Sequence, residues 1–145
     1  MARSRIFIAR RDGRIDVRLS DHGREFVREQ FGRLRVAEVD VHHAWRGSLH
    51  QPIDPSRDDD DPLRQLERSN AVTSNAELAL VTVGEETLST AEAWAWLSSL
   101  QLALRACAAI EGLATAADVD GASPEQLAVV VNLQALLFDL SAALE

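Results

Sequence analysis

The chain has 145 residues, a formal net charge of −8 and one cysteine. These values predict a single acidic domain over residues 1–145, and they exclude an intrachain disulfide and a zinc site built from several cysteines. With 46% hydrophobic and 26% charged residues, the composition is that of a globular protein, and the absence of a signal-peptide pattern after Met1 leads us to expect a cytoplasmic protein without membrane insertion.

Positive and negative charges are concentrated in different parts of the chain. Residues 1–36 hold ten arginines and five acidic residues, a balance of +5, whereas residues 71–145 hold one arginine and ten acidic residues, a balance of −9. We expect the basic front to attract the acidic back, within one chain or between two copies. An acidic chain is a poor nonspecific DNA binder, since neutralising phosphates requires clustered positive charge.

Residues 1–36 are predicted to form a β-hairpin followed by a helix. In the second strand, 14–19, apolar and charged residues alternate with the period of a half-buried strand. In the first, 4–10, Ile6 and Ile8 share one face, and their alternate neighbours lie on the other. The Asp12-Gly13 pair favours a type I′ turn, in which both central residues have positive φ.

The helix after the hairpin is predicted to run from Ser20, its N-cap, to about residue 36. Its apolar residues recur at helical spacing, and Glu29 and Arg33 form an i,i+4 ion pair on the other side. Two strands alone are marginally stable in water, so this helix is expected to cover the apolar face of the hairpin.

Residues 37–88 are predicted to be an irregular acidic segment with short helices. One helix would begin at Pro62, with Asp61 as its cap. Another would run from Ser74 to about Val83, with Ser74 as its cap.

Residues 89–145 are predicted to form an antiparallel pair of long helices. Ser89-Thr90-Ala91-Glu92 is a capping box, which starts a helix at residue 90 that would end before Gly112. Ser123-Pro124 opens the last helix, in which Glu125, Asn132 and Asp139 recur every seven residues as one polar line. The predicted fold is therefore α+β and mostly α: an N-terminal β-hairpin packed on a helical bundle that ends in a C-terminal antiparallel helical hairpin.

Both C-terminal helices are apolar on nearly all sides, which is typical of buried helices. A domain of this size has little surface with which to wrap two of them, so we predict a homodimer that pairs the helical hairpins. The residues predicted at the dimer interface are Trp96, Leu102, Leu133 and Leu140.

Three groups of residues are candidates for chemistry. His42, His43 and His50, with the Asp58–Asp61 run, could ligate zinc or iron, but the spacing matches no established metal motif. Cys107 lies on an apolar helix stripe and is expected to be buried and unreactive. The hairpin arginines could contact DNA phosphates, or could form a solvated face paired with neighbouring acids; those singled out are Arg5, Arg11, Arg14 and Arg18.

The three tryptophans are expected to have packing roles. Trp94 and Trp96 are two positions apart on a helix and cannot share a face, so one of them would be in the core and the other near an interface or a cleft. Trp45 is expected to pin its loop to the body of the domain.

Several stretches together resemble an uncharacterised actinobacterial family encoded beside the protease adaptor ClpS. Some of its members are named as AosR-type oxidative-stress transcriptional regulators. The stretches that carry the resemblance are Ile15 to Leu34, Asp61-Pro62-Leu63, Ser89 to Leu97 and Leu133 to Leu144. The resemblance implies a regulatory role. A disulfide switch within one chain does not carry over, because Cys107 is the only cysteine.

We therefore predict a non-enzymatic regulatory or protein-interaction module, with transcriptional regulation as a role that the resemblance implies. No catalytic residue and no cofactor are predicted. The predicted partners are a second copy of the chain and another protein, with DNA binding at best weak. The alternative is a metal-dependent or small-molecule enzyme that uses the His42–Asp61 loop.

Overall fold

The computed structural model describes residues 5–40, 42–45, 62–110, 112, 117 and 120–145. Three short strands form one antiparallel sheet in chain order: β1 (Phe7–Ala9), β2 (Ile15–Val17) and β3 (Thr87–Leu88). The long helices are α1 (Asp21–Val39), α2 (Pro62–Val81), α3 (Thr90–Ile110) and α4 (Pro124–Leu144). The predicted class, α+β and mostly α with a C-terminal helical hairpin, is confirmed.

The β-hairpin is present, but its first strand turns the other face to the core. Phe7 pairs with Val17 in the antiparallel register, and both side chains are buried. Strand alternation then places Ile6 and Ile8 on the opposite face, where they are half-buried. The two isoleucines share one face, as predicted, but the buried face of β1 is the one that carries Phe7.

The turn of the hairpin has three residues and is not type I′. Gly13 has a φ of +87°, and no other residue type has a positive φ in the described part of the chain. The Arg10 amide donates to the Arg14 carbonyl (2.8 Å), and the Gly13 amide donates to the Arg10 carbonyl (3.2 Å). This pattern is a turn followed by a left-handed glycine, the second most common way to close a hairpin.

Helix α1 starts as predicted and ends three residues later, at Val39. The Ser20 hydroxyl accepts the Gly23 amide at 3.1 Å, which confirms the N-cap. Arg33 and Glu29 form the predicted i,i+4 pair at 2.5 Å.

One helix, α2, replaces the two short helices predicted after Pro62. Ser74 lies inside α2 and does not cap a second helix. The stretch around it, Ser-Asn-Ala-Val-Thr-Ser, has low helix propensity. Packing of α2 against α1 and α3, with Ala76 and Ala79 fully buried, overrides that local preference.

The caps of the C-terminal helices agree with their sequence signals. At the start of α3 the Ser89 amide donates to Glu92 Oε1 (2.7 Å), and the Glu92 amide donates to Ser89 Oγ (3.2 Å), which is a complete capping box. Gly112, just beyond the end of α3, has a φ of +69°. Helix α4 begins at Pro124 as predicted.

Trp96 is the centre of the core and has no exposed surface. Its ring makes edge-to-face contacts with Phe7 of β1 (6.0 Å between centroids) and Phe31 of α1 (5.3 Å). Its indole N–H donates to the hydroxyl of Thr82, the residue after α2, at 2.7 Å. That hydroxyl donates in turn to the Leu78 carbonyl at 2.8 Å, so every polar atom of this buried group has a partner.

Thr82→Val is expected to destabilise the protein, because it keeps the side-chain shape and removes the acceptor of the Trp96 indole N–H. A buried donor without an acceptor costs about 1–3 kcal/mol. The free energy of unfolding, measured in urea by circular dichroism at one protein concentration, should fall by that amount.

The control is Thr73→Val, at a half-buried position within α2, for which a change within about 0.5 kcal/mol is expected. A loss in Thr82→Val no larger than the loss in the control would contradict the role given to the hydroxyl.

Candidate functional site

In the part of the chain that the structure describes, helix α4 is covered on one side. It packs on α3 and β1 through Leu133, Leu136 and Leu140, which are buried. On the opposite side Val131 is 52% exposed and Phe138 is 68% exposed. Soluble monomers seldom leave such large apolar side chains uncovered on one helix face, so this face is the main candidate for an interaction site.

The residues on this side of α4 follow the 4-3-4 spacing of a helix-packing seam. We call this set the α4 seam: Leu127, which is half-buried, and Val131, Gln134 and Phe138, which are exposed. It carries no charge. The two acidic residues within α4, Glu125 and Asp139, lie on other sides of the helix. An uncharged, largely exposed seam is suited to packing against another apolar helix face.

Asp139 gives the polar line of α4 a structural role. Its Oδ2 atom accepts the backbone amides of Ile6 (2.5 Å) and Phe7 (3.3 Å), next to the edge strand of the sheet. The sequence signal was an isolated carboxylate in an otherwise apolar helix, but its partner could not be inferred because it is backbone more than 130 residues away.

Three of the four residues predicted at the dimer interface belong instead to the core. Trp96, Leu133 and Leu140 have no exposed surface within one chain, so their assignment to an interface was wrong. Leu102 is half-buried and packs against the core. Trp94 is 51% exposed, so of the two tryptophans of α3 it is Trp96 that lies in the core and Trp94 that lies at the surface.

Helix α3 is covered within one chain to a greater extent than α4. Nine residues of α3 are buried, because α1 and α2 both pack on it. The segment predicted to be irregular supplies this cover in the form of α2. Among the described side chains of α4 only three are buried. The apolar surface that was expected to remain uncovered within one chain therefore lies on α4.

Among the described residues, two helices are long and apolar enough to cross a membrane by length and composition alone. The α3 window has a mean hydropathy of 1.2 and is 50% buried, whereas the α4 window has a mean hydropathy of 1.9 and is 17% buried. Burial accounts for α3 as the core helix of the fold, while α4 remains apolar on a side that the described residues leave exposed.

The histidine region is built around a buried tryptophan. Trp45 is 3% exposed, lies 5.9 Å from the Arg33 guanidinium and donates its backbone amide to His43 Nδ1 at 3.1 Å. Trp45 thus pins its loop to the domain, as predicted. Its hydrogen bond occupies one of the two ring nitrogens with which His43 could bind a metal.

The remaining parts of the predicted metal site, His50 and Asp58–Asp61, lie outside the described residues. Within the described part, no group of three or more histidine, cysteine or acidic side chains is placed to hold a metal ion. His42 is exposed, and its backbone amide donates to the Asp40 carboxylate at 3.0 Å.

The hairpin arginines differ in how they are paired. Arg14 donates from Nε to the Thr87 hydroxyl at 2.9 Å and lies 3.9 Å from the Glu92 carboxylate. It therefore connects the hairpin to β3 and to the start of α3. The other arginines predicted as DNA contacts, Arg5, Arg11 and Arg18, are exposed. Within the described residues they form no ion pair.

Arg24 has a role that the sequence did not indicate. Its guanidinium donates to the carbonyl oxygens of Val83 (2.5 Å), Glu85 (3.0 Å) and Val17 (3.3 Å). It thereby joins α1 to β2 and to the connection between α2 and β3. Every residue has a backbone carbonyl, so the sequence cannot show which carbonyls Arg24 will bind. Helical spacing alone therefore predicts that Arg24 faces solvent.

Comparison of the chain with protein-family models, with curated proteins and with solved structures gives no match. The family resemblance therefore has only the sequence patterns quoted for it as support.

Cys107 is 6% exposed, and its sulfur lies 3.9 Å from the Oε1 atom of Gln30, which is also buried. The predicted burial is confirmed. A thiol reagent can reach this sulfur only when the packing of α1 and α3 opens.

We expect Cys107 to react with a thiol reagent about 100-fold more slowly in the native protein than in guanidinium chloride, since reaction waits for an opening of the core. The increase in absorbance of released thionitrobenzoate measures both rates, with Cys107→Ala as the blank. Equal rates in the two conditions would contradict burial of the thiol.

Proposed function

We propose that this protein is a non-enzymatic regulatory module that acts through protein contacts, and that the α4 seam is its interface with a second copy of the chain. The observation that carries the proposal is the exposure of Val131 and Phe138, 52% and 68%, on an uncharged helix face. Burying such side chains contributes roughly 1.5–3 kcal/mol each, enough for a small set of them to drive association.

A second copy fits the seam because the seam is self-complementary. In an antiparallel pair of α4 helices with a twofold axis near Gln134, Val131 of one chain comes opposite Phe138 of the other, so a small side chain meets a large one. The acidic residues of α4 stay off this line, which avoids like charges at the centre of the contact. The basic front of one chain, +5, can also face the acidic back of the other, −9.

We propose further that any role in transcription is exerted through a protein partner and not through tight DNA contacts. The resemblance to the family encoded beside ClpS supports a regulatory role. The net charge of −8 and the pairing of Arg14 within the fold both oppose strong binding to phosphates.

Phe138→Asp is expected to convert a dimer into a folded monomer, because it places a carboxylate in the centre of the seam and disturbs no buried side chain. Sedimentation equilibrium of the unaltered protein at micromolar concentration should give twice the chain mass of 15.9 kDa. The variant should give the mass of one chain with an unchanged circular dichroism spectrum.

The matched control is Val81→Asp, which changes an apolar residue that is 73% exposed at the end of α2, a helix that packs on α1 and α3. This variant should remain dimeric. A monomeric mass for the unaltered protein, or dissociation of both variants alike, would overturn the proposed interface.

DNA binding is expected to be weak and nonspecific. Fluorescence anisotropy with labelled duplexes should show an affinity that falls steeply with salt and drops further in Arg11→Ala/Arg18→Ala, since only phosphate contacts are available. Sequence-selective binding that persists at physiological salt would refute this view and favour direct action on DNA.

A further inference from the structure

A cavity of about 440 Å³ lies where the hairpin, the first turns of α1 and the middle of α4 meet. Its volume is in the range of small-molecule sites. Its walls combine apolar and polar side chains, chiefly Leu19, Phe26, Leu136, Arg18, His22 and Asn132. This cavity is separate from the α4 seam and from the histidine region.

Hydrogen bonds hold the walls of the cavity in place. The Arg18 amide donates to the Ile6 carbonyl at 2.8 Å, and the Ile6 amide donates to Asp139 at 2.5 Å. On the α1 side, Gly23 leaves room for the neighbouring wall, since a Cβ atom there would lie 3.0 Å from Leu19 Cδ2. Hydrogen bonds therefore join the hairpin to α4 beside the cavity, and α1 packs closely against Leu19.

The charge of the lining is opposite to the charge of the protein. The chain as a whole carries −8, yet among the described residues that line the cavity none has a carboxylate, and both Arg18 and His22 are present. The Asp139 carboxylate on α4 already accepts hydrogen bonds from the backbone amides of Ile6 and Phe7. This arrangement complements an anion that has an apolar body.

We propose that this cavity binds a small amphipathic carboxylate. The apolar body would pack against Phe26 and Leu136, and the carboxylate would pair with Arg18, with the Asn132 side-chain amide as a further donor. The proposal is independent of dimerisation, because no residue of the α4 seam lines the cavity.

The test is titration calorimetry with decanoate, and with decanol as the uncharged probe of equal length, both below their aggregation concentrations. Decanoate should bind with one molecule per chain. Arg18→Gln should weaken decanoate at least about tenfold, the effect of losing one charge-assisted contact, and should change decanol by less than about twofold.

Two further variants locate the site. Ala135→Phe places a ring in the cavity, since Ala135 is part of its lining, and should abolish binding of both probes. Phe138→Asp, on the α4 seam, should leave decanoate affinity unchanged. Because Arg18 is exposed, its variant keeps the test valid if Ala135→Phe fails to fold.

The proposal is overturned if decanoate does not bind, if decanol binds as tightly as decanoate, or if Arg18→Gln affects both probes equally. Loss of decanoate binding in Phe138→Asp would place the probe on the exposed helix face and would equally reject the cavity.

Discussion

The fold depends on the complete burial of one indole ring. Trp96 contacts rings from β1 and α1 and donates its N–H to a hydroxyl beyond the end of α2, so four elements meet on one side chain. A buried indole N–H needs an acceptor, and Thr82 supplies one only because α2 ends at Val81 and brings it against α3. The position of α2 is thereby linked to that of α3. Trp94, two residues earlier and about 200° around the helix, must then face outward, as its exposure of 51% shows.

The uncovered side of α4 is a consequence of this arrangement. Helices α1 and α2 both pack on α3 and complete the surroundings of Trp96. No described helix packs on the side of α4 that faces away from α3. Helix α4 is held by α3 along one face and by β1, through Asp139, at its edge. An apolar face therefore remains in contact with solvent in the single chain.

Local signals in the sequence were sufficient where the interaction itself is local. The Ser89–Glu92 capping box, the Ser20 cap and the left-handed Gly112 involve residues at most a few positions apart, and each agrees with the structure. Strand β3 has two residues, too few for an alternation to be recognised. The continuity of α2 could not be inferred because long-range packing, and not propensity, maintains its middle.

The choice of which apolar residues are buried was the least predictable feature, and the candidate site depends on it. A helix that is apolar on most sides shows little contrast between its faces, so its sequence does not say which face meets the core. On α3 and α4 the buried face is determined by contacts with other elements. The hydrogen bond to Thr82 holds Trp96 in the core, and the hydrogen bond from the Ile6 amide, next to β1, turns the side of α4 that carries Asp139 toward the sheet. Phe138 and Asp139 are neighbours in the chain but lie about 100° apart on the helix. The same turn of α4 therefore fastens the hairpin and presents Phe138 to solvent, so the bond that orients α4 on the sheet also fixes the direction in which its seam faces.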